Sequence, residues 1–323
     1  MPYMNVLLTA GVGDIAYSML CARTFCENIG VTPRYFSAGS EVLKAHAVLK
    51  AIQPIHMGDD SLTVHTLPDH QVRSTVSQFQ EVKRSDHLIG PRIALFEGEP
   101  LALFWPDLSR DIGELSRSAR SWPELYALFA DIDANAFAHS LEVSTTLSVT
   151  TNQHHLMGAN ALTIFCSVSA NSVRVNVRLF TKFVSSFLSK IVKSREVKIV
   201  VHSPPPRASR LDIDDKSNDN ISQQFIRNVI PLRGSTTFEI AGGDFDEVAA
   251  SISRSNIVIA PRSGLSDLAY LLGVPTVSAY RDLTEHSFYR LAPTDKVIEM
   301  STLRGVVISA TNIPHSIGGL FQL

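Results

Sequence analysis

The chain has 323 residues, 45% hydrophobic and 19% charged, with a formal net charge of −2. That length suits two domains of ordinary size, and the near-neutral charge gives no sign of a surface built to hold nucleic acid. No apolar run is long enough to span a bilayer, and the absence of Lys or Arg before Arg23 excludes a signal peptide's basic start. Three cysteines, an odd and sparse count, argue for reduced thiols in a cytoplasm rather than a disulfide framework.

In chain order, Asn5–Thr9 reads as a first strand and Ala10-Gly11-Val12-Gly13-Asp14 as the turn after it. Ile15, Met19, Ala22 and Cys26 then mark one face of a helix reaching about Asn28. A glycine-rich turn between a first strand and a first helix is where α/β proteins bring backbone close to a ligand. Asp14 stands at the helix start. It is either an N-cap or a carboxylate at the carboxyl end of strand one, and the two roles are compatible. Arg34–Ser37 is predicted as strand, and a helix follows from about Ser40 to Ala51. Leu62–Leu67 and Arg92–Phe96 have strand character, and Leu101–Trp105 is strongly apolar. Trp122–Phe129 reads as a helix capped by Ser121, with Pro123 in its first turn. The aromatics of this region read as core.

Residues 140–157 are polar, threonine-rich and weakly periodic, so the domain boundary is placed here, giving domains 1–155 and 156–323. His154 and His155 are adjacent and therefore diverge, which argues against a shared metal.

The second half is more regular. Leu162–Val168 is a predicted strand, Ser169-Ala170-Asn171-Ser172 a polar turn, and Val175–Lys193 a long helix with Leu179, Phe183, Phe187 and Ile191 every fourth residue. A strand at Val197–Val201 follows. Residues 202–220 read as a surface loop, Ser222–Val229 as a helix and Thr237–Ile240 as a strand. Asp244 caps a helix, with Glu247 completing a capping box. The stretch 255–281 then reads strand, turn, helix, turn, strand. Ile257-Val258-Ile259 suits a strand buried on both faces, and Pro261-Arg262-Ser263-Gly264 breaks it. Leu265, Leu268, Ala269 and Leu272 keep helical spacing, and Gly273 stands where a helix terminates. The turn places serine, glycine and arginine at a helix N-terminus, where free N–H groups and the dipole favour an anion. Alternating strands and helices imply α/β domains with mostly parallel sheets, whose ligands bind beyond the carboxyl ends of the strands.

These motifs resemble GT-B glycosyltransferases, most of all the ADP-heptose:lipopolysaccharide heptosyltransferases, over about residues 4–30 and 160–282. The similarity lies in GVGD-IAYSMLCAR, IFCSVSANS, VKIVVHSPP, FDEVAASISRS and IVIAPRSGLSDLAYLLGVPTV. It implies two Rossmann-like domains facing a cleft, with the acceptor on the N-terminal one and the nucleotide sugar on the C-terminal one. The resemblance makes Asp14 the general base. It puts Gly13, Ser169, Ala170, Ser263, Gly264 and Leu265 near the donor, the last three around its pyrophosphate. Arg262 replaces the usual acidic or amide residue, and Asp267 the usual histidine. An R-S-G-L-(S/C)-D sequence also resembles other bacterial cell-surface glycan glycosyltransferases.

The implied reaction moves a sugar from a nucleotide-diphosphate donor to a hydroxyl of a glycan or glycolipid. It requires a base for the hydroxyl and positive charge for the leaving diphosphate. Asp131-x-Asp133 and Asp244-x-Asp246 have the spacing of a metal-binding pair, but one follows a helix and the other reads as a cap. A metal-free leaving-group site without a cofactor is therefore expected. In it Arg262 meets the diphosphate directly, offsetting the cost of a cation at a helix N-terminus, or else forms a surface salt bridge. Arg281 and His286 are lesser candidates. The alternatives are a GT-B-shaped UDP-sugar 2-epimerase and a non-catalytic nucleotide- or glycan-binding protein.

Overall fold

The computed structural model describes residues 2–58, 62–81, 90–106, 115, 117–156, 161–167, 177–192, 196–202, 236–241, 244–301 and 306–312. The chain forms two compact units, one of Met1–Ser144 with Arg290–Pro293, the other of Thr145–Tyr289 with Thr294–Leu323.

In the first unit β1 (Tyr3–Leu8), β2 (Thr32–Ala38), β3 (Val64–Leu67), β4 (Arg92–Phe96) and β5 (Glu99–Leu103) form one sheet in the order β3-β2-β1-β5-β4. β1 pairs in parallel with β2 and β5, and β2 with β3, whereas β4 runs antiparallel to β5. Helices α1 (Val12–Ile29), α2 (Val42–His56), α3 (Asp69–Glu81) and α4 (Trp122–Phe129) belong to this unit. Leu7, Leu101 and Leu103 bury one sheet face with Ala38, Leu67 and Val72. The α1 helix stops at Gly30, whose φ of 71° lies in the left-handed region that terminates helices.

Residues 134–156, most of them expected to be a linker, form α5 (Ala134–Leu156). Its first half buries Phe137, Ala138, Leu141 and Thr145, a helical face that a threonine-rich sequence disguises. The division between the units falls after Ser144, inside this helix.

The second unit carries β6 (Ala161–Ser167), β7 (Glu196–His202), β8 (Thr236–Ala241), β9 (Ile257–Pro261), β10 (Thr276–Tyr280), β11 (Lys296–Ser301) and β12 (Val306–Thr311). Their order is β11-β12-β10-β9-β6-β7-β8. The five strands from β6 to β10 are parallel, while β12 runs antiparallel to both β10 and β11. The helices are α6 (Val177–Val192), α7 (Phe245–Ser253), α8 (Gly264–Leu271) and α9 (Leu283–Tyr289). Phe180, Phe183, Val184, Phe187 and Leu188 of α6 recur at helical spacing and pack with Ile164, Cys166, Ile199 and Ile257. The expected helix at Ser222–Val229 lies outside the described residues.

Candidate active site

In each sheet the chain reverses the direction in which it adds strands beside one central strand. β1 lies between β2 and β5, and β6 lies between β7 and β9. Such switch points open a crevice at the carboxyl ends of the strands. The Asp14 turn follows β1, and the Arg262 turn follows β9, so each sits at the switch point of its own sheet.

At the first turn Ala10 has φ 75°, the left-handed region that costs a residue with a side chain about 1–2 kcal/mol. Its carbonyl accepts from Lys44 Nζ at 2.8 Å, and that ammonium also meets Glu41 Oε1 at 3.1 Å. Gly11 is the N-cap in extended conformation, so α1 starts earlier than an Asp14 cap would require. Asp14 is the third helical residue, and its Oδ2 accepts from the Gly11 N–H at 3.0 Å. A Cβ on residue 11 would lie 2.9 Å from that oxygen, so a side chain there would displace the Asp14 carboxylate. Asp14 Oδ1 accepts from the Tyr126 hydroxyl at 2.5 Å. The carboxylate is half-buried and lies in the first turn, where the helix dipole favours negative charge. Gly13 is buried one residue before it.

Tyr126 comes from α4, whose N-cap Ser121 accepts from the Glu124 N–H. The Glu124 carboxylate is buried and takes hydrogen bonds from the Arg120 guanidinium and backbone N–H. The Tyr126 ring is fully buried, 5.4 Å from Tyr17 and 5.5 Å from Trp122. Nothing in the sequence separates Tyr126 from the core aromatics around it. The only signal is general: a buried tyrosine hydroxyl needs a partner.

At the second turn β9 is buried throughout and ends at Pro261. Ser263 is the extended N-cap of α8, and its N–H donates to Ser266 Oγ at 3.0 Å. The N–H groups of Gly264 and Leu265 open α8, and first-turn N–H groups have no acceptor within a helix. Arg262 is 4% exposed. Its guanidinium grips Asp267, Nη1 to Oδ2 and Nη2 to Oδ1 each at 2.7 Å. Nε donates to the Tyr289 carbonyl at 2.5 Å and Nη1 to the Ser263 carbonyl at 3.0 Å. The two positions that depart from the family pattern are therefore partners of each other, and the salt bridge is buried rather than on the surface. The guanidinium expected to reach a diphosphate is turned into the turn that carries it.

Ser169 and Ala170 lie outside the described residues. Of the paired aspartates, Asp133 accepts from the Ala136 N–H at 2.9 Å and Asp244 from the Asp246 N–H at 3.0 Å, so each pair supplies a helix cap. Asp131 occupies a left-handed turn position at φ 56°. Arg281 pairs with Asp282 at the surface, and His286 packs edge-on to Tyr280 at 4.9 Å. His154 and His155 fall at the end of α5. At the carboxyl end of β7, His202 is 8% exposed and lies against Phe165. Burial lowers its pKa to about 4. Among the described residues no group of three His, Cys, Asp or Glu side chains could hold a metal ion, and no helix is long and apolar enough to cross a membrane.

No family model matches the sequence, and no curated protein matches it. Solved structures do. The Escherichia coli ADP-heptose lipopolysaccharide heptosyltransferase II aligns over 94% of this chain and 92% of its own, at 11% identity and TM-score 0.51. A glycosyl transferase family 9 protein from Veillonella parvula aligns over 86% of this chain and 80% of its own, at 12% identity and TM-score 0.43. The dodecameric iron-containing glycosyltransferase TibC of enterotoxigenic E. coli aligns over 94% of this chain at 8% identity and TM-score 0.49. This chain spans only 64–66% of the length of TibC. The fold is the α/β fold of the GT-B type found in heptosyltransferase II.

Proposed function

We propose that this protein is a glycosyltransferase that moves a sugar from a nucleoside-diphosphate donor to a hydroxyl of a glycan or glycolipid, without a metal. The observation that carries this reading is Asp14, a half-buried carboxylate fixed through both oxygens at the switch point of its sheet. Asp14 takes the proton of the acceptor hydroxyl as that oxygen bonds to the anomeric carbon. The anomeric C–O bond to the diphosphate breaks, and the nucleoside diphosphate leaves with the electron pair. The charge it carries is met by the α8 N-terminus at Ser263, Gly264 and Leu265. Arg262 and Asp267 serve that site by bracing the turn. Heptosyltransferase II supports the reading at the level of fold, and its ADP-heptose makes ADP-activated heptose one donor to try beside hexose donors. The buried free thiols of Cys21, Cys26 and Cys166 favour a cytoplasmic setting.

The test is release of nucleoside diphosphate from a panel of nucleotide sugars, with and without glycan acceptors and with a chelator present. The expected result is acceptor-dependent release that survives chelation and falls by about 10²–10⁴-fold in Asp14→Asn. Unchanged turnover in that variant would reduce Asp14 to a helix-terminus residue. Turnover of a UDP-sugar to its 2-epimer would assign the fold to another reaction.

A further inference from the structure

We propose that Tyr126 is the positioning residue of Asp14: its phenol fixes the carboxylate in one rotamer and holds it ionised for an acceptor hydroxyl. The inference rests on the reading of Asp14 as the base. The hydroxyl donates to Asp14 Oδ1 at 2.5 Å, the short range of a bond to an ionised acceptor. The Gly11 N–H holds Oδ2 at 3.0 Å.

Three features stop Tyr126 from following the carboxylate if it moves. The ring is fully buried, it packs against Tyr17 and Trp122, and its backbone is helical with the Tyr126 carbonyl accepting from the Ala130 N–H at 2.9 Å. The proton stays on the phenol, because a phenol is far less acidic than a carboxylic acid. A donor to the ionised form favours ionisation, which is the resting state a general base requires.

Three ion pairs lie on the elements packed around Asp14, and the Lys44 ammonium also reaches the Ala10 carbonyl of the same turn. Lys44 meets Glu41 on α2, Arg23 meets Glu27 on α1, and Arg120 meets Glu124 on α4. Tyr17 is the other titratable group in the aromatic stack. Tyr126→Phe retains every one of these groups and the ring packing, and removes a single oxygen.

The experiment is a ¹³C-carboxyl titration of free protein labelled at aspartate, with the Asp14 signal assigned by its loss in Asp14→Asn. In Tyr126→Phe the Asp14 midpoint should rise by about one to two pH units, the range of a hydrogen bond to a charged group. Where an active donor and acceptor are known, kcat should fall about 10–100-fold with the donor KM little changed, and the acid limb of the pH profile should move up with the titration. Should Tyr126→Phe fail to fold, the phenol is read in other proteins. Wild type should show a downfield, slowly exchanging hydroxyl proton correlated with the Tyr126 ring, absent in Asp14→Ala. An Asp14 midpoint that does not move in folded Tyr126→Phe, or no such proton, overturns the proposal. Because the titration needs no substrate, failure to find glycosyl transfer would overturn the function proposed above and leave the Tyr126–Asp14 result standing.

Discussion

Removing the Arg262 side chain gives the sharpest test of the second turn. The arginine and Asp267 are each 4% exposed at the side chain and share two 2.7 Å contacts. Arg262→Ala deletes both contacts and the donors to the Tyr289 and Ser263 carbonyls. It leaves a carboxylate in a site with almost no water. Breaking a buried pair by removing one partner costs about 3–5 kcal/mol, because the remaining charge is uncompensated. A lone arginine working against a helix dipole would instead be removed at a gain of some tenths of a kcal/mol. The two expectations differ in sign. In the variant Asp267 is desolvated without a partner, so its folded pKa rises above the unfolded value. A raised folded pKa means stability retained at low pH and lost as pH rises through it. The Arg262→Ala penalty should therefore be larger at pH 8 than near pH 4. Urea denaturation of wild type, Arg262→Met, Asp267→Leu and Arg262→Met/Asp267→Leu measures the coupling, with Arg262→Ala run beside them. The double variant should recover most of the loss, since apolar replacement of a buried pair is often neutral or stabilising. An alanine variant within about 1 kcal/mol of wild type at pH 8, with no coupling in the cycle, would refute the reasoning and show the pair to be solvated.

Gly273 ends α8 at φ 70°, and a Cβ there would meet the Thr145 carbonyl at 2.7 Å and Ser148 Cβ at 3.0 Å. Gly273→Ala should cost about 3 kcal/mol, the left-handed penalty plus overpacking, read as a lower urea midpoint with unchanged slope. His202, its pKa lowered from 6.5 to about 4 by burial, stays neutral in the folded chain well below the pH at which it protonates in the unfolded one. Its contribution is full above pH 6.5 and is lost as pH falls toward 4. Wild type should lose on the order of 2–3 kcal/mol over that interval relative to His202→Phe, and parallel pH profiles for the two would contradict it.

Much of this fold is legible in the sequence because its elements bury a regular face. β9, α1, α4 and α6 fall within a few residues of their predicted spans, since a continuous apolar run or the helical spacing of apolar residues decides them locally. Where burial is decided by distant partners, the pattern fails. α5 looks like a linker because threonine and serine dilute its buried face, and α3 is missed because its apolar residues are few. The antiparallel strands β4, β11 and β12 sit at or near sheet edges, where only pairing partners fix the direction.

The candidate site divides in the same way. Asp14 and the Arg262–Asp267 turn are found from the sequence because each follows a strand at a strand-to-helix turn, a local signature. Their partners are not found, and the reason is separation along the chain. Asp14 and Tyr126 stand 112 positions apart, and Arg262 and the Tyr289 carbonyl stand 27 apart. Arg262 and Asp267 are only five apart, yet in the sequence they stand as two separate departures from the pattern of the resembled family. An arginine one residue before an N-cap and an aspartate at the fourth helical position lie on neighbouring turns of backbone, so each supplies the charge that makes the other tolerable in a buried turn. Two charged substitutions at such spacing are better read together, as an internal brace, than as two separate contacts to a ligand.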